Sequence, residues 1–454
     1  MATFPLLALA SHAEMGLAEG FLTARRPQLK ALQPGVQIQP ILTTGDTLDS
    51  GYQMAGTPDG LGAIDHGNGT FTLLMNHEWT KEDNLSYSRV SKLVIDKANL
   101  KVLKGEYLIN GSEGYNSFCS ATMVGRKEGF SSPLFFTNEE STDGKYKGTV
   151  VAVNPKTGDY RNLPWLGHFD HENTIALPKY NKIVLMLTDD NAPGGIYMYI
   201  ANNETDLLTG KGQLYVFKAD VGSTPADIQK GSSVSGRFIP ISPFEARNVN
   251  RIRAAIAAKG AMSFVRPEDI THDVKQPNIV YFASTGRSEY INPDTGKPYD
   301  AKGRIHKMTL NPTDPTKVEA LQILLAGDVG DPIINPDNLA TSDRSIMIQE
   351  DQNGEFRGKR PARIWHYDLR NKALTPVAAV VQKDFDGKPI PGDIAGNWES
   401  SGIINTANIL GPNTWLLDVQ AHTQVVNQLG GKDEGGQLLL LTVPDSGARL
   451  PETP

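Results

Sequence analysis

Apolar runs that end abruptly in acids and amides recur along this chain. Residues 71–78 read FTLLMNHE, 133–140 PLFFTNEE and 183–191 IVLMLTDDN. After a Gly- or Asp-rich turn a second kind of run follows, in which apolar and polar positions alternate: GTVVAVNPKTG (148–158), GGIYMYIANNETD (194–206), GRIHKMTLNPTDP (303–315), ARIWHYDLRNKAL (362–374) and GGQLLLLTVPD (435–445). Short apolar runs and period-two alternation bounded by turn residues predict strands. A buried strand tipped with carboxylates, then a half-exposed strand, is therefore the repeating unit.

The clusters fall at 78, 140, 190, 287, 350 and 418, with gaps of 62, 50, 97, 63 and 68 residues. A propeller blade takes roughly 40–50 residues before insertions. The spacing predicts an all-β fold, a six-bladed β-propeller with decorated loops, as a single domain over 1–454. The longest gap holds PFEARNVNRIRAAIAAKGAM (243–262), where Val249, Ile252 and Ile256 are spaced as on one helix face and Gly260 is a stop signal. A short helix lying over one face of the propeller is expected there. The competing architecture, paired β-sandwiches with acids on solvated turns, does not account for a strand-plus-cluster unit that recurs so often.

Innermost propeller strands line a central channel, so equivalent ends meet at one mouth. That would gather Glu78, Glu139, Glu140, Asp189, Asp190, Glu350, Asp351 and Asp418. Two carboxylates about 4 Å apart repel by roughly 4 kcal/mol even at an effective dielectric near 20. Such a set calls for cations or for retained protons. Oxygen donors suit hard ions, Ca²⁺ above all, with Mg²⁺ or Mn²⁺ as alternatives. GHFDHENT (167–174) and RPEDITHD (266–273) add His beside carboxylates, which admits a transition metal. Asp59, before Gly60 in TPDGLG, reads as a turn. Cys119 in NSFCSATM is open to two readings, a small buried hydrophobe or a thiolate ligand that needs a metal to hold its charge.

Composition narrows the class. With 39% hydrophobic and 21% charged residues and a formal charge of −7, the chain lacks the basic surface that nucleic acid requires. It has no apolar run long enough for a membrane span. The N-terminal MATFPLLALASHAEMG lacks basic residues ahead of its apolar stretch and is too brief for a complete export signal, so it is read as a mature start after signal removal. One cysteine excludes an internal disulfide and leaves the cytoplasm open as a location. Neither a Gly-x-Ser-x-Gly elbow nor a Walker-type loop is present.

The ordered series PDGLG, LLMNHE, Cys then TNEE, DHENT, LTDDN with GGIYMY, RPED, NPDNLA and WESSGIIN with WLLDVQAHT, running from about residue 45 to 443, resembles the PhoX-type alkaline phosphatases and their broader branch of relatives. Where those phosphatases carry a Gly- and Trp-containing stretch after the cysteine, this chain has SATMVGRKEGFSSP. The resemblance implies an exported, periplasmic or secreted six-bladed propeller with a calcium and iron cluster at the channel mouth. It makes Cys119 a thiolate shared by two Fe³⁺ ions, with Glu172 and Glu268 as the carboxylates holding that pair. It implies Asn76, Glu78, Glu139 and Glu140 as calcium or shared ligands, with Asp189 and Asp337 beside them. The expected activity is hydrolysis of a phosphorylated small-molecule substrate by a monomer, in which metal ions steady the ester oxygens and activate water. Arg266 and Arg287 are candidates to steady the phosphoryl group, and His422 to act as an acid or ligand. Two rivals remain at this stage. One is a calcium-dependent lactonase or esterase on the same fold, in which Cys119 is innocent. The other is a non-catalytic calcium-stabilised binding propeller.

Overall fold

The computed structural model describes residues 20–80, 87–291, 296–352, 354–428 and 431–444. The N-terminal start read above lies outside them. Five antiparallel sheets make an all-β, propeller-like arrangement with few helices. The first takes Pro58–Asp65, Thr70–His77, Arg89–Asp96 and Val102–Ile109 in order; the second takes Phe118–Val124, Leu134–Glu139, Val150–Val153 and Tyr160–Asn162. A nine-stranded sheet runs His171–Ala176, Ile183–Asp189, Ile196–Ala201, Gln213–Ala219, Ser233–Ile241, Lys317–Ala326, Arg304–Leu310, Ile279–Ser284, Pro267–His272. A five-stranded sheet holds Pro336–Thr341, Ser345–Glu350, Arg363–Asp368, Leu374–Val380 and Leu29–Ala31. The last holds Glu399–Asn405, Thr414–Gln428, Gly431–Thr442 and Gln37–Thr43.

Five separate sheets rather than six arise from one insertion. Ser233–Ile241 pairs with Gln213–Ala219 on one side and Lys317–Ala326 on the other. Two sheet edges, whose unpaired N–H and C=O groups would otherwise face water, are covered by a single strand.

Six strands, starting at Pro58, Phe118, His171, Pro267, Pro336 and Glu399, contact one another in cyclic order, the last touching the first. Each carries the same irregularity near its start. Pairing runs Pro58↔His77 then Leu61↔Met75, Phe118↔Glu139 then Ala121↔Thr137, His171↔Asp189 then Thr174↔Leu187. It continues Pro267↔Ser284 then Ile270↔Phe282, Pro336↔Glu350 then Leu339↔Ile348, Ser400↔Val419 then Ile403↔Leu417. One strand advances three residues while its partner advances two. A bulge of this kind re-aims the extra side chain.

The core lies between sheets, built from the apolar runs seen in the sequence, such as Leu73, Phe135, Phe136, Leu185 and Ile348, all fully buried. The helix Val249–Lys259 is capped by the Asn248 side chain and ended by Gly260 at φ 61°. Its Ile252, Ala255 and Ile256 pack into the cluster that contains Phe136, Leu163 and Tyr197. No helix among the described residues is long and apolar enough to cross a membrane.

A candidate metal centre at the channel mouth

The six bulges place Asp59, Cys119, Glu172, Glu268, Asp337 and Ser401 at equivalent points of the ring. Just past the partner strands come Glu78, Glu140, Asp190 and Asp351, which face the same mouth. The backbone turns sharply to make this possible. Thr57, Ser117, Arg266 and Asn335, all just before a ring strand, have φ between 45° and 53°. Non-glycine residues in that region cost about 1–3 kcal/mol each, a strain that tends to cluster at functional sites.

Donor atoms of Asp59, Glu78 and Cys119 lie within 4.8 Å of one another. The same holds for Cys119, Glu140 and Glu172; for Glu140, Asp190 and Glu268; for Glu172, Glu268 and Asp337; and for Asp337, Asp351 and Glu399. The trios share members, so they form one continuous band around a cavity of about 500 Å³. Two cationic side chains line that cavity. The Arg266 guanidinium reaches Asp190 Oδ1 (3.0 Å), Glu268 Oε1 (2.6 Å) and Asp351 Oδ2 (2.6 Å). His422 stands between Glu434 Oε2 (2.7 Å, from Nδ1) and Glu399 Oε1 (3.1 Å, from Nε2).

Burial and mutual repulsion set the electrostatics. Burial first, then neighbouring carboxylates, push Asp59, Glu140 and Asp337 well above the usual carboxylate range. Burial likewise raises Glu268 well above it, Glu172 to about 8 and Glu399 to about 7. Burial and the charges of Asp59 and Glu172 push the Cys119 thiol up, and its Sγ donates to Asp59 Oδ2 at 3.3 Å. Burial pushes Asp190 up as well, but the Arg266 charge and hydrogen bonds from Glu140, Arg266 and Glu268 together bring it below the usual carboxylate range. Burial pushes His422 down, but Glu399 and Glu434 lift it to about 10.

The residues fit metal ions. Two cationic side chains face the nine carboxylates and the thiol of the trios, and Glu172 Oε2 is fully buried with no hydrogen-bond partner among the described residues. Carboxylate oxygens suit hard cations, and a single sulfur adds affinity for a transition metal.

Of the residues expected from sequence, Glu78, Cys119, Glu140, Glu172, Glu268, Asp337, Arg266 and His422 come together. Six others do not join the band. Asn76 donates from Nδ2 to the Cys119 carbonyl (2.5 Å) and accepts from Thr137 Oγ1 (2.9 Å), tying two sheets behind the cysteine. Glu139 accepts from the Asn116 and Gly148 amides, each at 3.1 Å, and so braces two loops. Asp189 accepts from the Tyr197 hydroxyl at 3.4 Å. Glu350 is held by Arg360 (2.6 and 2.9 Å) and Trp365 Nε1 (2.9 Å). Arg287 is exposed and does not line the cavity. Asp418 is buried without a partner, also outside the trios. For Glu139, Asp189 and Glu350 the reason is strand alternation: the last residue of each second strand turns into its own sheet, and the next faces the mouth. Asp190 and Asp351, expected at the mouth from the cluster spacing, are in the trios, whereas Asp59 and Glu399 were not singled out as ligands from sequence. The aligned bulges PDGL, FCSA, HENT, PEDI, PDNL and SSGI carry the signal for Asp59.

Comparison with known proteins agrees with the fold. Pseudomonas fluorescens PhoX in complex with vanadate, a transition state analogue, superposes with TM-score 0.64 at 15% identity, over 93% of this chain and 97% of that one, and so shares its fold. A Penicillium chrysogenum α-L-arabinanase complexed with arabinobiose superposes too loosely to bear on function: TM-score 0.45, 9% identity, 89% of this chain and 98% of that one. No curated protein sequence matches. The profile of the alkaline phosphatase PhoX family matches residues 102–381, well over half of the 454, and the chain belongs to that family.

Proposed function

We propose that the protein is a metal-dependent phosphoric monoester hydrolase whose metal ions sit in the carboxylate and thiol band at the channel mouth. The observation that carries this is the band itself, five overlapping donor trios on one cavity, in a chain of an alkaline phosphatase family. Calcium with a pair of iron ions is the combination the donors favour. Asp59, Glu78, Glu140, Glu172, Glu268, Asp337, Asp351 and Glu399 would supply oxygen, and Cys119 the sulfur for iron. A calcium-only lactonase would leave Cys119 without a task, whereas its sulfur belongs to two of the trios.

Bound metal ions would neutralise the ester oxygens and make water a nucleophile at moderate pH. The chain's own residues do the rest. Arg266 offers the guanidinium nearest the band for a phosphoryl oxygen, held in place by Asp190, Glu268 and Asp351. His422 keeps a proton on each ring nitrogen, and the one on Nε2, against Glu399 on the cavity wall, is available to the leaving alkoxide. The strand ring behind the band keeps water from all but the open side.

We read the nine-stranded sheet as two four-stranded blades sewn together by Ser233–Ile241, which gives six blades in a single domain. An exported monomer that acts on phosphorylated small molecules fits this reading. The deciding experiment is elemental analysis of protein purified without chelators, with a phosphomonoester assay before and after chelation. Bound calcium and iron with chelator-sensitive hydrolysis is the expected result; metal-free protein that hydrolyses esters equally well overturns it.

A further inference from the structure

Below the metal-facing layer, a second set of bulge residues meets inside the ring: Ser120, Asn173, Asp269 and Asn338 among them. Ser120 Oγ donates to Glu172 Oε1 at 2.6 Å and accepts from Asn338 Nδ2 at 3.0 Å. Asn338 Oδ1 in turn accepts from Ser401 Oγ at 3.4 Å. All four side chains are at least nine-tenths buried. Ser120 and Asn338 belong to the second and fifth strands of the six-strand ring, so their bond crosses the channel.

The chain of bonds runs one way. A hydroxyl has one proton to give, and an amide NH₂ can only donate. With Asn338 Nδ2 pointing at it, Ser120 must accept there and spend its proton on Glu172. Bonds aligned in this fashion polarise one another. One oxygen of Glu172 is thereby tied down, while the other, Oε2, is buried with no hydrogen-bond partner among the described residues, and the carboxylate itself belongs to two of the trios.

We propose that Ser120 and Asn338 are positioning residues that fix Glu172 across the channel, with Oε1 tied and Oε2 presented to a metal ion. This rests on the metal-centre reading above. Loss of such an outer partner weakens metal binding by about 10–100-fold.

The test is calcium and iron affinity, each measured by competition with a chelator, in wild-type protein, Ser120→Ala, Asn338→Asp, the double variant and Ser120→Thr. Ser120→Ala should bind about 10–100-fold more weakly. Asn338→Asp keeps the shape but turns donor into acceptor, drawing the Ser120 proton away from Glu172, and should weaken binding likewise. The double variant should be no worse than Ser120→Ala alone, because Asn338 acts through Ser120, and Ser120→Thr, which keeps the hydroxyl, should bind as wild type does. Wild-type affinity in Asn338→Asp, or strictly additive losses, overturns the proposal even if Ser120→Ala fails to fold. A wild-type protein that binds neither metal overturns the metal-centre reading instead.

Discussion

Removing the metal ions should make the protein lose stability as pH rises through the neutral range. Glu172 is fully buried, and its folded-state value of about 8 lies far above the roughly 4.3 of an unfolded glutamate. Between about pH 6.5 and 8 the unfolded chain has lost that proton while the metal-free folded chain keeps it. Stability is thus fully present at low pH and drains away as pH rises through the folded value, by about 1.4 kcal/mol per pH unit for this one group. Asp59, Glu140, Glu268 and Asp337, raised by the same burial, act in the same direction. The buried histidines His77 and His171, held down to about 3 by burial, oppose this only near pH 6.5, where the unfolded imidazole is still about half protonated, and His422, pushed down by burial but lifted to about 10 by Glu399 and Glu434, adds to the fall. With metals bound the carboxylates are ionised in the folded and the unfolded state alike above about pH 6.5, so their contribution to the slope vanishes. At about 1 °C per kcal/mol for a chain of this size, several such groups give a fall of several degrees in thermal midpoint across the window. Calorimetry in chelator and in excess calcium would measure both slopes, and Glu172→Gln should flatten the chelated slope by one group. A metal-free protein whose midpoint is level or rises from pH 6.5 to 8 refutes the reasoning.

Glu140→Gln should lower metal content and hydrolysis together, whereas Glu139→Ala should leave metal content intact and cost about 1–3 kcal/mol of stability by orphaning the Asn116 and Gly148 amides; elemental analysis beside denaturant titration separates the two. Cys119→Ser should lose iron while retaining calcium, read by elemental analysis and by visible absorbance. His422→Gln should slow hydrolysis of alkyl phosphates by roughly 10²–10⁴-fold yet spare aryl phosphates with good leaving groups; equal losses on both substrates would remove His422 from the acid role.

The sequence made the strand type and the recurrence of the acidic clusters legible because burial writes itself as unbroken apolar runs such as LLM and LFF. It did not reveal which of two adjacent acids faces the mouth. Glu139 and Glu140 look alike as letters, and only the register of Phe118 with Glu139 determines that the first turns inward to its own sheet. Asp59 looked like a turn because Asp-Gly is a common turn pair, yet it stands in a bulge at 0% exposure. Glu399 escaped notice because its strand was read only as part of a resemblance, without a position on the ring. The strand Ser233–Ile241, which joins two outer edges, has a polar, exposed pattern with little apolar periodicity to announce it.

The ring is also closed by the two ends of the chain. Gln37–Thr43 pairs with Gly431–Thr442, and Leu29–Ala31 with Leu374–Val380. Gln420 reaches back over 361 residues to donate to Asp59 Oδ2, and also to Glu78 Oε2. During synthesis, then, the strand Gln37–Thr43 keeps one edge open until its partner Gly431–Thr442 has left the ribosome, and the ring of sheets closes only at that moment. A chain cut short between Glu399 and Gln420 would carry all of the trios' side chains without the Gln420 bonds that tie Asp59 and Glu78 to the last sheet.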